Sequence, residues 1–274
     1  MPVNPGRVVA VIPARLASTR LPRKVLREVA GQPLLAWVVE AARRCEEIGK
    51  VVVAADSDEV AALCASRGWD WLMTPPELPS GSDRLFAVSR EIDADVYINI
   101  QADEPLVSFV HIQALLRPFA RPEVGITTLK VECPNESADD PNVVKVVTAA
   151  NGRALYFSRS AVPFNRDGQP VTYWKHLGLY AYRKHALERF AALEPGRLEQ
   201  IERLEQLRLL ENGIDIHVAN GRLDTIGVDT EEDLRRFEEM FREHGSKGNY
   251  YQGSGSFDVD DDAAVASLGP DASQ

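Results

Sequence analysis

Residues 7–24 read RVVAVIPARLASTRLPRK, and this stretch decides the fold. The run Val8–Ile12 is apolar without interruption and rich in β-branched side chains, as expected of a strand buried on both faces of a sheet. Pro13 ends the run, and a polar loop follows as far as Lys24. Parallel sheets cover both faces of their strands in this way, so the stretch predicts a parallel sheet with a loop at the strand's carboxyl end.

The residues that follow alternate between strand and helix patterns. Short apolar runs predict strands, and apolar residues at helical spacing predict helices between them. The predicted strands are Val51–Ala55, Trp71–Met73 and Val96–Ile100, and the predicted helices are Leu34–Cys45, Asp58–Arg67, Ser82–Arg90 and Phe109–Phe119. This alternation is typical of βαβ crossovers and predicts an α/β fold with a mainly parallel sheet.

Beyond Val124 the pattern becomes richer in strands. We predict strands at Ile126–Val131, Val143–Val147, Ala154–Phe157, Trp174–Tyr182 and Ile214–Ala219, with helical segments at Lys184–Leu193, at Leu198–Glu211 and from Thr230 to about His244. No repeat or linker divides residues 1–244, which therefore predict one domain. Residues 245–274 are dominated by Gly, Ser, Asp and Ala without periodicity, and they predict a disordered acidic tail.

Composition excludes several function classes. The net charge of −10 argues against general binding to nucleic acid or to an anionic membrane surface. Three cysteines without a CxxC pair argue against a disulfide framework or a zinc site and favour a reducing compartment. No stretch has the length of a signal peptide or a membrane span. We therefore expect a cytoplasmic protein with no nucleic-acid and no membrane partner.

The loop after the first strand has the composition of a phosphate-binding loop. It carries Arg15, Arg20, Arg23 and Lys24 without an acid, and hydroxyls and backbone N–H groups interleave with these cations. Ligands bind beyond the carboxyl ends of parallel strands, where such a loop suits a triphosphate. A solvated basic loop is the alternative, but the strand-end position and the absence of acids favour phosphate. The loop has neither the GxxxxGK[ST] nor the GxGxxG spacing.

Two carboxylates also follow predicted strands. Asp103 lies directly after Val96–Ile100, and Asp229 stands in the segment IGVDT just before the last helix. A carboxylate opposite a phosphate loop is where a Mg2+ ligand is needed. Each has a plainer interpretation, because Asp103 could belong to a turn that caps the next helix and Asp229 to a capped helix start with Thr230.

Two further segments carry polar side chains. Ser80-Gly81 forms a small turn before Arg84, where backbone could approach a ligand closely, although an ordinary helix cap explains it equally well. The strand around His176 and Tyr180 places polar residues in an apolar run, and a lone histidine there is usually a satisfied structural residue.

Taken together, these segments resemble the CMP-Kdo synthetase (3-deoxy-manno-octulosonate cytidylyltransferase) family along nearly all of residues 7–244. Eight stretches agree in the family's order, so chance agreement is a poor explanation. They are IPARLASTRLPRK (12–24), MTPPELPSGSDRL (73–85), NIQADEPL (99–106), NVVKVV (142–147), ALYFSR (154–159), KHLGLYAYR (175–183), LEQIERLEQLR (198–208) and GVDT (227–230).

The resemblance implies a fold, a reaction and partners. The fold is a Rossmann-like nucleotide-diphospho-sugar transferase core with a mixed, mainly parallel sheet and an inserted β-rich dimerisation and sugar-binding region at about 130–190. The reaction is activation of 3-deoxy-D-manno-octulosonate (Kdo) with CTP and Mg2+ to give CMP-Kdo and pyrophosphate, for lipopolysaccharide biosynthesis. A homodimer is implied as well.

The resemblance also implies roles for individual residues. Those expected at the CTP phosphates are Arg15, Arg20 and Lys24, of which Arg15 and Lys24 are catalytic together with Asp103. The residues expected around the cytidine are Ser80, Gly81, Arg84 and Gln101. The magnesium ligands are Asp103 and Asp229. The sugar-acid pocket comprises Arg159, His176, Tyr180, Glu205 and Gln206.

Two positions depart from the family pattern, which has Gly where Arg23 and Ala102 stand. A positive φ at either position would cost the side chain about 1–2 kcal/mol of strain. Arg23 also adds charge beside the phosphates, and we expect retained chemistry with altered kinetics.

Three alternatives stay open from the sequence. A related sugar acid, either 8-amino-Kdo or a sialic acid, could be the acceptor. A sugar-1-phosphate nucleotidylyltransferase would need a Gly-rich loop that is absent. A non-catalytic nucleotide-binding module predicts loss of Lys24, Asp103 or Asp229, yet all three are present.

Overall fold

The computed structural model describes residues 7–18, 20–225 and 227–244. Its strands are β1 (Val8–Ala14), β2 (Glu28–Val29), β3 (Gln32–Pro33), β4 (Lys50–Ala55), β5 (Asp70–Met73), β6 (Val96–Asn99), β7 (Ile126–Cys133), β8 (Lys145–Thr148), β9 (Ala154–Ser158), β10 (Tyr173–Arg183) and β11 (His217–Asn220). Its α-helices are α1 (Leu34–Arg43), α2 (Asp58–Arg67), α3 (Gly81–Glu91), α4 (Phe109–Leu116), α5 (Lys184–Ala191), α6 (Arg197–Glu202), α7 (Leu207–Glu211) and α8 (Glu231–His244). The predicted tail at 245–274 lies outside the described residues.

One large sheet organises the chain, in the order β11-β7-β10-β6-β1-β4-β5. Neighbouring strands are parallel except where β10 runs antiparallel to β6 and to β7. The hairpin β8–β9 joins the sheet through β8, which pairs with β10. The predicted α/β fold with a mixed, mainly parallel sheet is therefore confirmed.

The core lies on both faces of this sheet. Alternate residues of β1 pack into two different apolar clusters: Val8, Ala10 and Ile12 face α1, α2 and α4, whereas Val9 and Val11 face α3, α5 and α7. Every residue of β1 is buried, as its uninterrupted apolar run predicts. In the part of the chain that the structure describes, no helix is long and apolar enough to cross a bilayer.

The strand register brings the polar strand ends together. Ala14 at the end of β1 pairs with Ala55 at the end of β4, and Val11 pairs with Asn99 at the end of β6. The antiparallel strand β10 brings Tyr180 opposite Asn99. Loops after β1, β4 and β6 therefore emerge side by side, next to the middle of β10.

Four element predictions need correction. The strand end predicted just before Asp229 is absent from the described residues, where β11 ends at Asn220 and α8 begins at Glu231. The predicted helix Leu198–Glu211 is two helices, because Arg203 has a left-handed backbone (φ 55°) that ends α6. The helix predicted to reach Phe119 ends at Leu116 and continues as a 3-10 turn through Arg117–Ala120, where Pro118 cannot donate a helical hydrogen bond. The strand predicted from Ile214 begins at His217, although Ile214 and Ile216 are buried.

Candidate active site

Lys24 holds two carboxylates at the centre of the strand-end surface. The loop after β1 closes in a 3-10 turn at Lys24–Leu26, which directs Lys24 inward. Its Nζ donates to Asp103 Oδ2 at 2.5 Å and to Asp229 Oδ1 at 2.8 Å. Burial lowers the pKa of Lys24, but the charges and hydrogen bonds of the two carboxylates outweigh that effect and raise it above its ordinary value. The ammonium group therefore stays charged.

Arg20 adds a second cation to the same carboxylate pair. Its Nη2 lies 2.8 Å from Asp229 Oδ2, and both side chains are solvent-accessible. Asp229 N–H in turn donates to Asp233 Oδ2, which also accepts from Thr230, so the helix cap predicted for Thr230 is present as well. The cap and the ionic role coexist because the Asp229 side chain points away from the helix toward Lys24.

A second group of predicted residues meets where α3 begins. Arg15 Nη1 donates to Pro79 O at 2.9 Å, which ties the phosphate loop to the turn before α3. Ser80 caps α3 in a capping box with Asp83. A β-carbon on Gly81 would lie 3.3 Å from Gln101 Nε2 and 3.4 Å from Pro13 Cγ, so glycine permits this close approach.

Arg84 is fully buried beneath this turn. Its guanidinium donates to Thr74 Oγ1 at 2.6 Å and to the carbonyls of Pro75 and Pro76 at 3.1 Å, and it lies 3.9 Å from Asp56. These contacts make Arg84 a support for residues 74–79. Its predicted contact with the cytidine stays a prediction.

Arg159 forms part of the opposite wall. Its Nε donates to Glu202 O and its Nη1 to Pro141 O, both at 2.8 Å, while its main-chain N–H donates to Glu202 Oε2 at 2.9 Å. A guanidinium has five N–H groups in a planar fork that fits a carboxylate. Main-chain acceptors therefore fix the orientation of the Arg159 fork without supplying a counter-ion.

His176 and Tyr180 lie on β10 next to a break in its register with β7, between Leu177 and Tyr180. His176 Nε2 is 3.0 Å from Thr128 Oγ1, and its ring packs edge-on against Phe157 at 5.0 Å. Burial lowers the pKa of His176 to about 3, so the ring is neutral. Burial also raises the pKa of Tyr180, which keeps its hydroxyl protonated.

Two buried donors on this side have no conventional hydrogen-bond partner among the described residues. They are Tyr180 Oη and Gln206 Nε2, and both side chains are more than nine-tenths buried. Unsatisfied buried donors are costly, so a polar ligand that reaches them would be favoured. The neighbouring Glu205 accepts from Ser82 Oγ at 2.6 Å, which links this side to the start of α3. Burial raises the pKa of Glu205.

A cleft of about 1710 Å³ connects the two sides. The predicted site residues that line it are Arg20, Gln101, Arg159, His176, Tyr180, Gln206 and Asp229. Lys24 contacts Asp229 directly, Asp103 contacts Lys24, and Glu205 directly precedes Gln206 in the chain. Arg15, Ser80 and Gly81 adjoin the lining residues through Pro79 and Gln101. The structure thus brings together every predicted residue except Arg84, which lies below the surface.

Two acidic residues that the sequence analysis missed also belong here. Asp56 follows β4, and its Oδ1 accepts from Leu16 N at 3.0 Å, which anchors the phosphate loop. Glu104 lines the cleft, and burial together with the charge of Asp103 raises its pKa to about 7. The strand-end position that identified Asp103 was equally available as a signal for Asp56.

The two departures from the family pattern differ in their backbones. Arg23 has φ 57°, so the strain that we expected for a side chain in the left-handed region applies there. The φ angle of Ala102 is not positive, so this strain does not arise there. The Arg23 guanidinium pairs with Glu59 at the start of α2. That pairing offsets the additional positive charge expected beside the phosphates.

Comparisons with known proteins agree with this geometry. The chain matches the family model described as Cytidylyltransferase over residues 9–216. A 3-deoxy-manno-octulosonate cytidylyltransferase of Acidobacterium capsulatum is 58% identical over 237 residues, which cover 86% of this chain and 97% of that protein. The protein of the same name from Koribacter versatilis is 51% identical, with 86% and 90% covered.

Solved structures show the same relationship. A CMP:2-keto-3-deoxy-manno-octonic acid synthetase complexed with CTP superposes with a TM-score of 0.84 at 37% identity, covering 86% of this chain and 99% of that one. The 4-diphosphocytidyl-2C-methyl-D-erythritol synthase of Anaerococcus prevotii, at 14% identity and a TM-score of 0.60, shares the fold alone. By its family model, its relatives and its structure, this chain belongs to the cytidylyltransferase family, among the 3-deoxy-manno-octulosonate cytidylyltransferases.

Proposed function

We propose that this protein transfers the cytidylyl group of CTP to the 2-hydroxyl of Kdo and releases pyrophosphate, supplying CMP-Kdo for lipopolysaccharide biosynthesis. The observation that carries the proposal is the position of Lys24, held by Asp103 and Asp229 at the edge of a cleft whose far wall presents Arg159. The names of the relatives, at up to 58% identity, supply the substrate.

Phosphoryl transfer of this kind depends on positioning and on electrostatic stabilisation. The phosphate loop supplies Arg15, Arg20 and Lys24, whose charges would bind the triphosphate. Lys24 would lie nearest the α-phosphate, where negative charge grows as pyrophosphate departs. Its raised pKa keeps the ammonium group charged for that role.

The donor set fits a magnesium ion. Asp103 and Asp229 each direct one carboxylate oxygen at the same atom, Lys24 Nζ, so their oxygens already converge. Mg2+ is commonly held by one or two carboxylates together with substrate phosphates. The ion, when bound by these two residues, would neutralise charge on the phosphoryl oxygens. Lys24 and Arg20 pair with the same two carboxylates.

The sugar acid would lie against Arg159, His176, Tyr180 and Gln206. The Arg159 fork suits the substrate carboxylate, and the unsatisfied Tyr180 and Gln206 donors suit sugar hydroxyls. His176, with a pKa of about 3, is too weak a base to accept the hydroxyl proton. We therefore assign it to shaping the pocket.

We also propose a homodimer. Leu155 and Phe164, both within the region at about 130–190 to which dimerisation was assigned, expose 52% and 85% of their surfaces. Contiguous exposed apolar patches mark interfaces, and these two side chains are candidates for such a patch. Light scattering of the wild type and of Phe164→Asp tests this: a dimer that the substitution dissociates is expected, and a wild-type monomer would contradict it.

Pyrophosphate release from CTP and Mg2+ with Kdo tests the main proposal, with 8-amino-Kdo and a sialic acid in parallel. Release that requires Kdo and metal is expected. Release with another acid alone would keep the mechanism and change the substrate. CTP binding without release from any acid would favour a non-catalytic nucleotide-binding module.

A further inference from the structure

Lys145 is a fully buried lysine beside the sugar pocket with no assigned role. It lies on β8 between two valines, and its side chain is 0% exposed. Its Nζ donates to three main-chain carbonyls: Asp140 at 2.8 Å, Val143 at 2.5 Å and Arg159 at 2.6 Å. An ammonium group has three N–H donors, so these carbonyls use its full capacity.

A buried cation whose acceptors are all carbonyls is costly. Removing an ammonium group from water is unfavourable, and no carboxylate forms an ion pair with this one among the described residues. Burial accordingly lowers the pKa of Lys145. An apolar side chain would fill the same space without this cost. The role of Lys145 therefore depends on the groups that its three hydrogen bonds connect.

Those bonds connect two parts of one wall. Two of the carbonyls belong to the turn 140–143, and the third belongs to Arg159; both parts line the cleft. The Arg159 guanidinium donates to Pro141 within the same turn. The Arg159 main chain is thus fixed on both sides, its N–H by Glu202 and its carbonyl by Lys145.

We propose that Lys145 is the positioning residue of the sugar-acid subsite: its ammonium group fixes the turn 140–143 relative to Arg159, so that the guanidinium meets the substrate carboxylate in one orientation. This inference rests on the proposed function. Lys145 is itself too deep to touch the substrate and acts through Arg159. Its loss should therefore weaken sugar-acid binding and leave CTP binding unchanged.

The experiment compares Lys145→Met with Lys130→Met. Lys130 is a second buried lysine of the same sheet, which bonds Thr148 Oγ1 and lies over Trp174 without lining the cleft. In Lys145→Met we expect the KM for Kdo to rise about 10- to 100-fold, because small misplacements of a binding group have effects of this size. The KM for CTP should change less than about twofold, and Lys130→Met should leave both values near wild type.

Lys145→Gln separates positioning from folding. Its amide supplies two N–H donors in place of three, so the KM for Kdo should lie between those of the wild type and Lys145→Met. An equal rise in both KM values, or a lower kcat with an unchanged KM for Kdo, would overturn the proposal. If neither variant folded, Lys145 would be a fold residue, and that too would overturn it.

Hydrogen exchange tests the inference independently of the substrate. The Val143 amide donates to Asp140 O and the Arg159 amide to Glu202, so both report on the wall. Both should exchange faster in Lys145→Met but not in Lys130→Met, and unchanged exchange would contradict the positioning role. A wild type that is inactive with Kdo would refute the proposed function, while the exchange result would still decide the role of Lys145.

Discussion

The two ends of the cleft are built by different physical means. The phosphate end comprises Arg15, Arg20, Lys24, Asp103 and Asp229. The sugar end comprises Lys145, Arg159, His176, Tyr180 and Gln206. At the phosphate end, Arg20 and Lys24 pair with carboxylates on partly exposed loops. At the sugar end, Lys145 and Arg159 donate to main-chain carbonyls, and His176, Tyr180 and Gln206 are neutral.

This difference predicts how each end would respond to its proposed ligand. Ion pairs on loops can exchange partners, so phosphates and a metal can take over the contacts that Lys24 and Arg20 now make with Asp229. Carbonyls in a strand or a supported turn have no alternative partner, so the sugar end keeps its shape. Preorganisation of that kind reduces the cost of binding.

Lys24→Met should have the largest effect. It removes the ammonium group that donates to both carboxylates of the phosphate end, Asp103 and Asp229. We expect kcat/KM for CTP to fall about 10³-fold, as for the loss of one key donor to a charged transition state. Pyrophosphate release measures it. Lys50→Met, which removes an exposed pair with Asp70, is the matched control and should retain wild-type activity.

The same variant tests whether the ion pairs exchange. Without nucleotide, Lys24→Met should bind Mn2+ more tightly than the wild type, because no ammonium group competes for Asp103 and Asp229. Electron paramagnetic resonance of free Mn2+ measures this. Equal affinities would mean that Lys24 does not occupy the metal position, and the contrast between the two ends would weaken.

His176 offers a test of neutrality at the sugar end. Its folded pKa of about 3 lies below the unfolded value of 6.5, so the unfolded chain binds more protons between these values and stability falls as pH decreases from 6.5 toward 3. Between pH 7 and 5 this residue should cost about 2 kcal/mol of unfolding free energy.

His176→Gln keeps a polar partner for Thr128 but cannot titrate. Denaturant unfolding at pH 7 and pH 5 should show a loss about 2 kcal/mol smaller in this variant than in the wild type. Equal losses would mean that His176 titrates normally, and the sugar end would then be less closed than its contacts indicate.

Gly81→Ala probes the junction between the two ends. The added methyl group would lie 3.3 Å from Gln101 Nε2, closer than ordinary contacts. Overpacking of this kind costs about 1–3 kcal/mol, so we expect the KM for CTP to rise roughly tenfold. The KM for Kdo should stay near its wild-type value. A rise confined to Kdo would place the Gly81 turn at the sugar end instead.

The sequence predicted the phosphate end better than the sugar end, for a physical reason. Strand ends in a parallel sheet converge whatever their separation along the chain, so Lys24 and Asp103 could be placed from their position after strands. Asp229 joins them although no strand of the described residues directly precedes it. The sugar end depends on β10 running antiparallel between β6 and β7, which no local pattern encodes. The roles of Arg159 and Gln206 therefore came from family resemblance.

The same limit explains the individual errors. The break at Arg203 was missed because its left-handed backbone places an arginine where glycine would be the usual signal. The full burial of Arg84 was not predicted either, because the motif gives its neighbours but not its depth. A usable signal was present at Lys145, where a lysine interrupts a run of valines, since a charge inside a buried strand needs a specific partner.

Arg23→Gly should have the smallest effect, and it tests whether the phosphate end tolerates exchange of surface ion pairs. Glycine would relieve the left-handed strain at φ 57°, worth about 1–2 kcal/mol, but would remove the pair with Glu59. That pair is 60% and 43% exposed, so it contributes at most about 1 kcal/mol. We expect the unfolding free energy to rise by between zero and about 2 kcal/mol in denaturant unfolding, with CTP affinity within about twofold of wild type. Glu59→Gln, which removes the pair and keeps the strain, should be neutral or slightly destabilising.

A marked loss of CTP affinity in Arg23→Gly alone would show that Arg23 binds phosphate directly. The exchangeable ion pairs would then extend to the start of α2.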